Sequence, residues 1–209
     1  MQISTFPIGP LETNCFLVHD DKEAIAIDPG GKPGKVLDYL KEHQLTLTHI
    51  LCTHLHFDHT IGVHDLVAAS GAVVYASEAD RYMLTSELGR GGIWGVPVVE
   101  PYEFQDLKPG EITLLGMKCM VLPTPGHTPG GLSFYFPELN AVFAGDTLFY
   151  RSMGRSDFQG GDQDALLKSI NEQLFTLPEE TEVYTGHGLL TLIGDEKRNN
   201  PFVGEFKKF

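Results

Sequence analysis

The sequence predicts an α/β fold, an αββα sandwich with two mixed β-sheets packed face to face and helices on the outer faces. Both halves of the chain begin with closely spaced apolar strands and continue into helices, and two layers of this kind bury each other economically. The 209 residues, 42% of them apolar, suffice for one large core without disulfide staples. No linker separates the halves, so residues 1–209 are predicted to form a single domain.

The first half predicts a meander of short strands followed by alternating helices and strands. Period-two apolar runs between turn-forming residues predict the strands, and apolar residues on one face predict the first helix. The predicted strands are Ile3–Phe6, Asn14–His19, Ala24–Ile27, His49–Cys52 and Ala72–Tyr75, and the predicted helices run from about 33 to 43, from about 60 to 70 and from Ser77 onward.

The second half predicts paired strands and a further helix. The predicted strands are Ile112–Leu115, Lys118–Leu122, 132–136, 141–145 and Glu182–Thr185, and the helix runs from about 163 to 174. Between the halves, Leu88–Pro97 is a glycine-rich loop that contains the only tryptophan. A flexible flap over a pocket and an exposed connection are both consistent with that composition.

Composition and charge limit the partners and the compartment. The net charge of −13 repels phosphate backbones, so no nucleic-acid partner is predicted. The start of the chain lacks a basic stretch followed by an apolar run, and no window nears the roughly 20 apolar residues of a membrane span. The three cysteines are odd in number and far apart, which fits reduced thiols. We therefore expect a cytoplasmic protein without a membrane partner, as a monomer or weak homo-oligomer.

A cluster of candidate metal ligands follows the predicted strand at His49–Cys52. In an extended segment His54 and His56 project to the same side and can reach one ion. A following turn aims Asp58 and His59 at a second point nearby. Imidazole nitrogen and carboxylate oxygen suit zinc, iron and manganese. The alternative interpretation is a polar strand-to-helix turn with exposed histidines.

Three further candidates follow other predicted strands. His127 lies in a turn rich in proline and glycine, which preorganises a ligand. Asp146 ends an apolar strand, where a carboxylate is costly unless paired or metal-bound, and its two oxygens suit it to bridge two cations. His187 lies between glycines, and for it and His127 an ordinary hydrogen-bonded turn histidine is the alternative. Asp28 before Pro29 either braces a ligand loop or caps a turn.

These segments resemble the metallo-β-lactamase superfamily and its glyoxalase II-like branch. The segments THLHFDH, GHTPGG, AGDTLF and GHG occur in that family's order, and GRSDF and the ending from Thr191 extend the resemblance over nearly the whole chain. The resemblance implies a metallo-β-lactamase fold and two divalent metal ions, zinc in most members, with iron and manganese also accepted in this branch. The implied ligands are His54, His56 and His127 for the first ion, Asp58, His59 and His187 for the second, and Asp146 as the bridge.

A two-metal centre predicts hydrolysis, with a small-molecule thioester as the substrate. Two adjacent ions lower the pKa of a shared bridging water and polarise the carbonyl, and Asp58 and Asp146 are the predicted catalytic carboxylates. A thiolate leaves with little protonation, whereas an amide nitrogen needs a general acid. The resemblance implies a hydroxyacyl thioester such as S-lactoylglutathione, with Arg155 binding the glutathione carboxylate. A surface pair between Arg155 and Asp157 is the alternative.

Two departures from glyoxalase II leave the identity of the thiol open. Gly188-Leu189-Leu190 replaces the aromatic residue that those enzymes have shortly after the last histidine. We also expect no C-terminal helical domain of the kind that completes the glutathione pocket. Both departures predict a more open site with weak or different thiol selectivity.

Three other functions remain as alternatives. A persulfide dioxygenase-like oxidoreductase of the same superfamily would hold one iron on His54, His127 and Asp146, but the glycines around His187 fit the hydrolases better. A phosphodiesterase or nuclease is disfavoured by the net charge of −13. A non-enzymatic metal-binding domain is disfavoured because structural zinc sites favour four ligands that include cysteine.

Overall fold

The computed structural model describes residues 1–93 and 95–205 and divides the chain into two compact units. Unit 1 comprises residues 1–107 with 114–116, and unit 2 comprises 108–113 with the chain from Met117 onward. Each unit contains one six-stranded mixed β-sheet together with helices. The predicted α/β class with two mixed sheets is confirmed, whereas the single-domain organisation stays a prediction.

The sheet of unit 1 has the strand order β1-β2-β3-β4-β5-β6. The first three strands pair antiparallel, and β3 to β6 pair parallel. The strands are β1 Gln2–Ile8, β2 Thr13–His19, β3 Glu23–Ile27, β4 Thr46–Leu51, β5 Val73–Ala76 and β6 Gln105–Asp106. The helices are α1 Gly34–Glu42, α2 Phe57–Thr60, α3 Val63–Ser70 and α4 Glu87–Arg90, with a 3₁₀ helix at Glu78–Thr85.

The core of unit 1 lies against the central strands. Strand β2 is buried over its whole length, which fits its unbroken apolar run at Cys15–Val18. Helix α1 contributes Val36 and Leu40 to this core, as its apolar spacing predicts. The rigid centre of the sheet therefore supports the C-terminal end of β4, after which the histidine cluster begins.

The sheet of unit 2 has the strand order β14-β13-β10-β9-β8-β7. Strands β10 and β13 pair parallel through a crossover that contains α5. The strands are β7 Gly110–Leu114, β8 Met117–Pro123, β9 Leu132–Phe136, β10 Ala141–Gly145, β13 Glu182–Thr185 and β14 Thr191–Leu192, with a separate hairpin of β11 Leu148–Phe149 and β12 Ser152–Met153. The helices are α5 Gln163–Glu172 and α6 Ile193–Asn199, with 3₁₀ turns at Pro137–Leu139 and Leu174–Thr176.

Several elements differ from the sequence-based expectation. The helix expected from about 60 to 70 is interrupted, because the N–H of Gly62 donates to Pro29 O at 2.7 Å, outside its own helix. The helix expected from Ser77 is of the 3₁₀ type, and Ser77 Oγ caps it by accepting from Ala79 N. The short elements α4, α6, β6, β11, β12 and β14 were not predicted. Among the described residues, no helix has the length and apolarity that a membrane crossing requires.

Candidate metal centre

Four of the predicted ligands come together in unit 1, directly after β4. His54 and His56 lie on the connection to α2, and Asp58 and His59 lie in the single turn of α2. All four residues are buried. Their ligand atoms lie within 4.8 Å of one another for the pairs His54–His56, His54–His59 and Asp58–His59. The exposed-histidine alternative is therefore wrong for this segment.

Asp28 holds this group in place, which confirms the interpretation that it braces a ligand loop. Its Oδ1 accepts from the backbone N–H of Thr53 at 2.7 Å, and its Oδ2 accepts from Thr53 Oγ1 at 2.6 Å. Oδ2 also lies 3.0 Å from His59 Nδ1, which must be the protonated nitrogen because a carboxylate only accepts. Asp28 has a φ of +50°, a strained conformation for an aspartate, so its direction is fixed by the surrounding turn.

The same chain of hydrogen bonds sets the direction of His54. The Thr53 hydroxyl donates its only proton to Asp28, so its Oγ1 accepts a hydrogen bond from His54 Nδ1, 3.1 Å away. In both His54 and His59 the lone pair is thus on Nε2, the nitrogen that a metal would bind. Sequence reasoning missed a further brace, the fully buried Asp80, whose Oδ2 accepts from Leu55 N at 3.3 Å. No local motif signals this contact, since the two residues are 25 positions apart.

The other three predicted ligands come together in unit 2. Asp146 and His187 follow the C-terminal ends of the parallel neighbours β10 and β13, so they leave the sheet at one edge. His127 lies in the turn between β8 and β9. Asp146 Oδ2 is 3.6 Å from His127 Nε2 and 3.6 Å from His187 Nε2. Asp146 is therefore central to this group, and its role as a bridge stays a prediction.

Irregular backbone directs Asp146 and His127. Strand β10 carries a β-bulge between Phe143 and Gly145, and Gly145 has a φ of +50°. Bulges of this kind redirect the following side chain, here Asp146. His127 Nδ1 donates to the carbonyl of Arg155 at 2.6 Å, so its Nε2 also carries the lone pair. The backbone carbonyl of Arg155 is a functional group that the sequence did not reveal.

Arg155 itself is engaged in a surface pair. Its guanidinium donates to both Asp157 oxygens at 2.7 Å and lies 3.8 Å from the centre of the Phe158 ring. The hydrogen bond from Arg155 lowers the pKa of Asp157 to about 2, so the pair is ionic throughout the neutral range. The predicted contact of Arg155 with a substrate carboxylate stays a prediction.

The donor set fits divalent metal ions. The imidazoles of His54, His59 and His127 are each anchored through Nδ1, and carboxylates lie among them. Cys52 supplies no thiolate, because burial, with a further contribution from Asp28, raises the pKa of its thiol. Cys52 belongs to the apolar core of unit 1.

The glycine-rich loop at 88–97 packs close to one of the ligands. Val96 and the following Val99 cluster with Phe57 and Ile61, which flank the turn that carries Asp58. Trp94, the tryptophan of this loop, lies outside the described residues. Whether the loop acts as a flap stays a prediction.

Comparisons with known proteins identify the family of the chain. The family model described as the metallo-beta-lactamase superfamily matches residues 8–187. The "Probable metallo-hydrolase YqgX" of Bacillus subtilis is 38% identical, over 99% of both chains. The "Hydroxyacylglutathione hydrolase GloC" of Haemophilus influenzae is 36% identical, over 97% of this chain and 98% of its own length.

Solved structures share the fold. The crystal structure of the BLEG-1 B3 metallo-beta-lactamase superposes with a TM-score of 0.89 at 37% identity, covering 97% of this chain and 99% of that one. The crystal structure of TTHA1623 in a di-iron-bound form gives 0.86 at 39% identity, covering 95% and 99%. The chain has the metallo-β-lactamase fold and belongs to the metallo-β-lactamase superfamily, which includes metal-dependent hydrolases.

Proposed function

We propose that the protein binds two divalent ions and hydrolyses a thioester such as S-lactoylglutathione. His54, His56 and His127 would hold the first ion, Asp58, His59 and His187 would hold the second, and Asp146 would contribute to both. The observation that carries the proposal is the anchoring of His54, His59 and His127 through Nδ1, which aims Nε2 at the neighbouring ligands. Similarity to GloC supports the substrate class.

The side chains would balance the charge of the site. When bound, two divalent ions would supply a Lewis acid for the carbonyl and lower the pKa of water. Asp58 and Asp146 offset part of this charge, and the neutral histidines offset none. The remaining positive charge favours the oxyanion that develops on the substrate, in a protein whose net charge is otherwise −13.

The protein's side chains suit a thioester better than an amide. A thiol has a pKa of about 8.5, so the thiolate departs without a proton from the protein. An amine needs a positioned general acid, a role that none of the proposed ligands can take while it binds a metal. Zinc, iron and manganese all fit nitrogen and oxygen donors, and we propose zinc for the protein in the cell.

Arg155 binds a carboxylate of the thiol by exchanging its pair with Asp157. Both side chains are exposed, so water screens the ion pair. Little free energy is therefore lost when a substrate carboxylate replaces Asp157. Its bidentate geometry with Asp157 is the geometry that another carboxylate would adopt. The Michaelis constant for S-lactoylglutathione in an Arg155→Ala variant tests this role.

Metal analysis alongside S-lactoylglutathione hydrolysis tests the main proposal. We expect about two metal ions per chain, and near-complete loss of turnover in Asp58→Ala and Asp146→Ala. Asp20→Ala is the control, because Asp20 is a turn aspartate whose side chain accepts from two backbone N–H groups and is not a proposed ligand. Full activity of either ligand variant would contradict the assignment.

The same samples distinguish the alternative reaction. One iron per chain, together with oxygen consumption in the presence of a persulfide, would identify a dioxygenase instead. Turnover of several neutral acyl thioesters would support the thioesterase and show weak selectivity for the thiol.

A further inference from the structure

A fully buried carboxylate in helix α6 holds the hairpin β11–β12. Glu196 has no exposed surface. Its Oε1 accepts from Arg151 Nη1 at 2.7 Å and Thr191 Oγ1 at 2.6 Å. Its Oε2 accepts from Arg151 N at 3.0 Å and Asn200 Nδ2 at 2.7 Å. A buried charge is tolerated only with partners of this kind, so the network is fully formed.

The network fixes the turn of the hairpin at several points. Arg151 sits at that turn with a φ of +55°, and Glu196 bonds both its backbone and its side chain. Arg151 Nη2 also donates to Asp195 at 2.8 Å, and Asn200 Nδ2 donates to the carbonyl of Ser152 at 2.9 Å. The hairpin therefore cannot shift relative to α6 without breaking charged hydrogen bonds.

This hairpin adjoins all three ligands of unit 2. It begins two residues after Asp146, and its first strand brings the Phe149 ring to 6.3 Å from the ring of His187. It continues into Gly154, whose backbone packs against the carbonyl of Asp146. The next residue is Arg155, whose carbonyl accepts from His127.

We propose that Glu196 is a positioning residue that orients His127, Asp146 and His187 by fixing the hairpin between them. The inference rests on the proposed function, since it assumes that these three side chains bind metal. Glu196 acts through Arg151 and the hairpin backbone and does not touch the metal or the substrate. The competing explanation is that the network only stabilises the fold.

Metal affinity separates these explanations. In Glu196→Gln the side chain keeps its shape, but an NH₂ group faces one of the donors, so the hairpin loosens. We expect the affinity for the more weakly bound zinc ion, measured by competition with a chromophoric chelator, to fall about tenfold. We also expect a changed visible spectrum of the cobalt-substituted protein.

Two further variants complete the test. Glu179→Gln is the matched control, because Glu179 also accepts from an arginine, here Arg198 of α6 at 2.6 Å, but on the surface. Arg151→Asn keeps a residue that tolerates the left-handed conformation and removes the guanidinium, which is partly exposed. Glu196 keeps its bonds from the backbone N–H at position 151, from Thr191 and from Asn200 in this variant, so we expect the fold to persist and the zinc affinity to fall in the same direction.

Each outcome decides between the explanations. A lower melting temperature of the metal-free variants with unchanged zinc affinity and cobalt spectrum would overturn the inference, since a purely structural role predicts that result. Failure of the wild-type protein to bind two metals would instead contradict the proposed function. Lower affinity in both hairpin variants, but not in Glu179→Gln, would support the positioning role.

Discussion

The orientation of single imidazoles decides what these histidines can bind. His54, His59 and His127 each commit Nδ1 to an oxygen of a neighbouring residue, respectively a threonine hydroxyl, an aspartate carboxylate and a backbone carbonyl. Three different acceptors thus produce the same tautomer. Nε2 of each ring is therefore already oriented before a metal ion binds, which lowers the cost of binding.

The Arg155–Asp157 pair leads to a prediction about substrate charge. Asp157→Asn removes the carboxylate that occupies the guanidinium, so we expect a several-fold lower KM for S-lactoylglutathione, and Arg155→Ala should raise it. A neutral thioester should respond to neither change. Steady-state kinetics with both substrates measure the effect.

A matched control for this pair is Glu78→Gln, which breaks an equivalent exposed pair with Arg81 in unit 1. Equal changes in KM for the charged and the neutral substrate would show that Arg155 does not recognise a carboxylate.

At the level of elements, the candidate ligands lie where regular structure ends. Strands β4, β10 and β13 each finish immediately before a ligand or a short connection to one. Strands provide a rigid base, while the turns after them supply the side-chain directions that a strand cannot. The close approach of Gly154 to Asp146 is part of this arrangement, because a Cβ atom at Gly154 would lie 1.8 Å from the Asp146 carbonyl oxygen.

We therefore expect Gly154→Ala to displace Asp146 and lower the metal content. Overpacking of this kind costs about 1–3 kcal/mol in the free energy of unfolding. Gly34→Ala is the control, since nothing lies within 4 Å of a Cβ there, and it should stabilise by about 0.4–1 kcal/mol. Denaturant titration of the metal-free proteins and metal analysis measure both effects. Normal metal content in Gly154→Ala would contradict the expectation.

The elements also show what sequence can and cannot predict. The main strands were predictable because their apolar runs are bounded by clear turn residues, and the grouping of the candidate ligands was predictable because they follow those strands. Helix α6 has only seven residues, too few for a periodic pattern. Asp80 and Glu196 were not identifiable because they act on backbone groups 25 and 45 positions away, which only the folded chain brings near.

At the scale of the whole molecule, the acidic surface affects the approach of substrates. A net charge of −13 repels an anionic thioester, and salt screens this repulsion over a Debye length of about 10 Å at 0.1 M. Raising sodium chloride from about 10 to 200 mM should therefore lower KM for S-lactoylglutathione.

A neutral thioester serves as the control, since its KM should not change with salt. A KM for S-lactoylglutathione that rises with salt would contradict the expectation, because it would show that local positive charge outweighs the acidic surface.

The bulge in β10 makes the direction of Asp146 depend on the number of residues before it. Successive side chains of a strand alternate between faces, and the extra residue, Ala144, opposes no partner of its own in β13. Removing it would turn the carboxylate to the opposite side of the sheet, whereas exchanging it for another small residue would not. The residue at position 144 can therefore change, but the number of residues between the start of β10 and the carboxylate cannot. Relatives that keep the carboxylate should differ here by substitution and not by insertion or deletion.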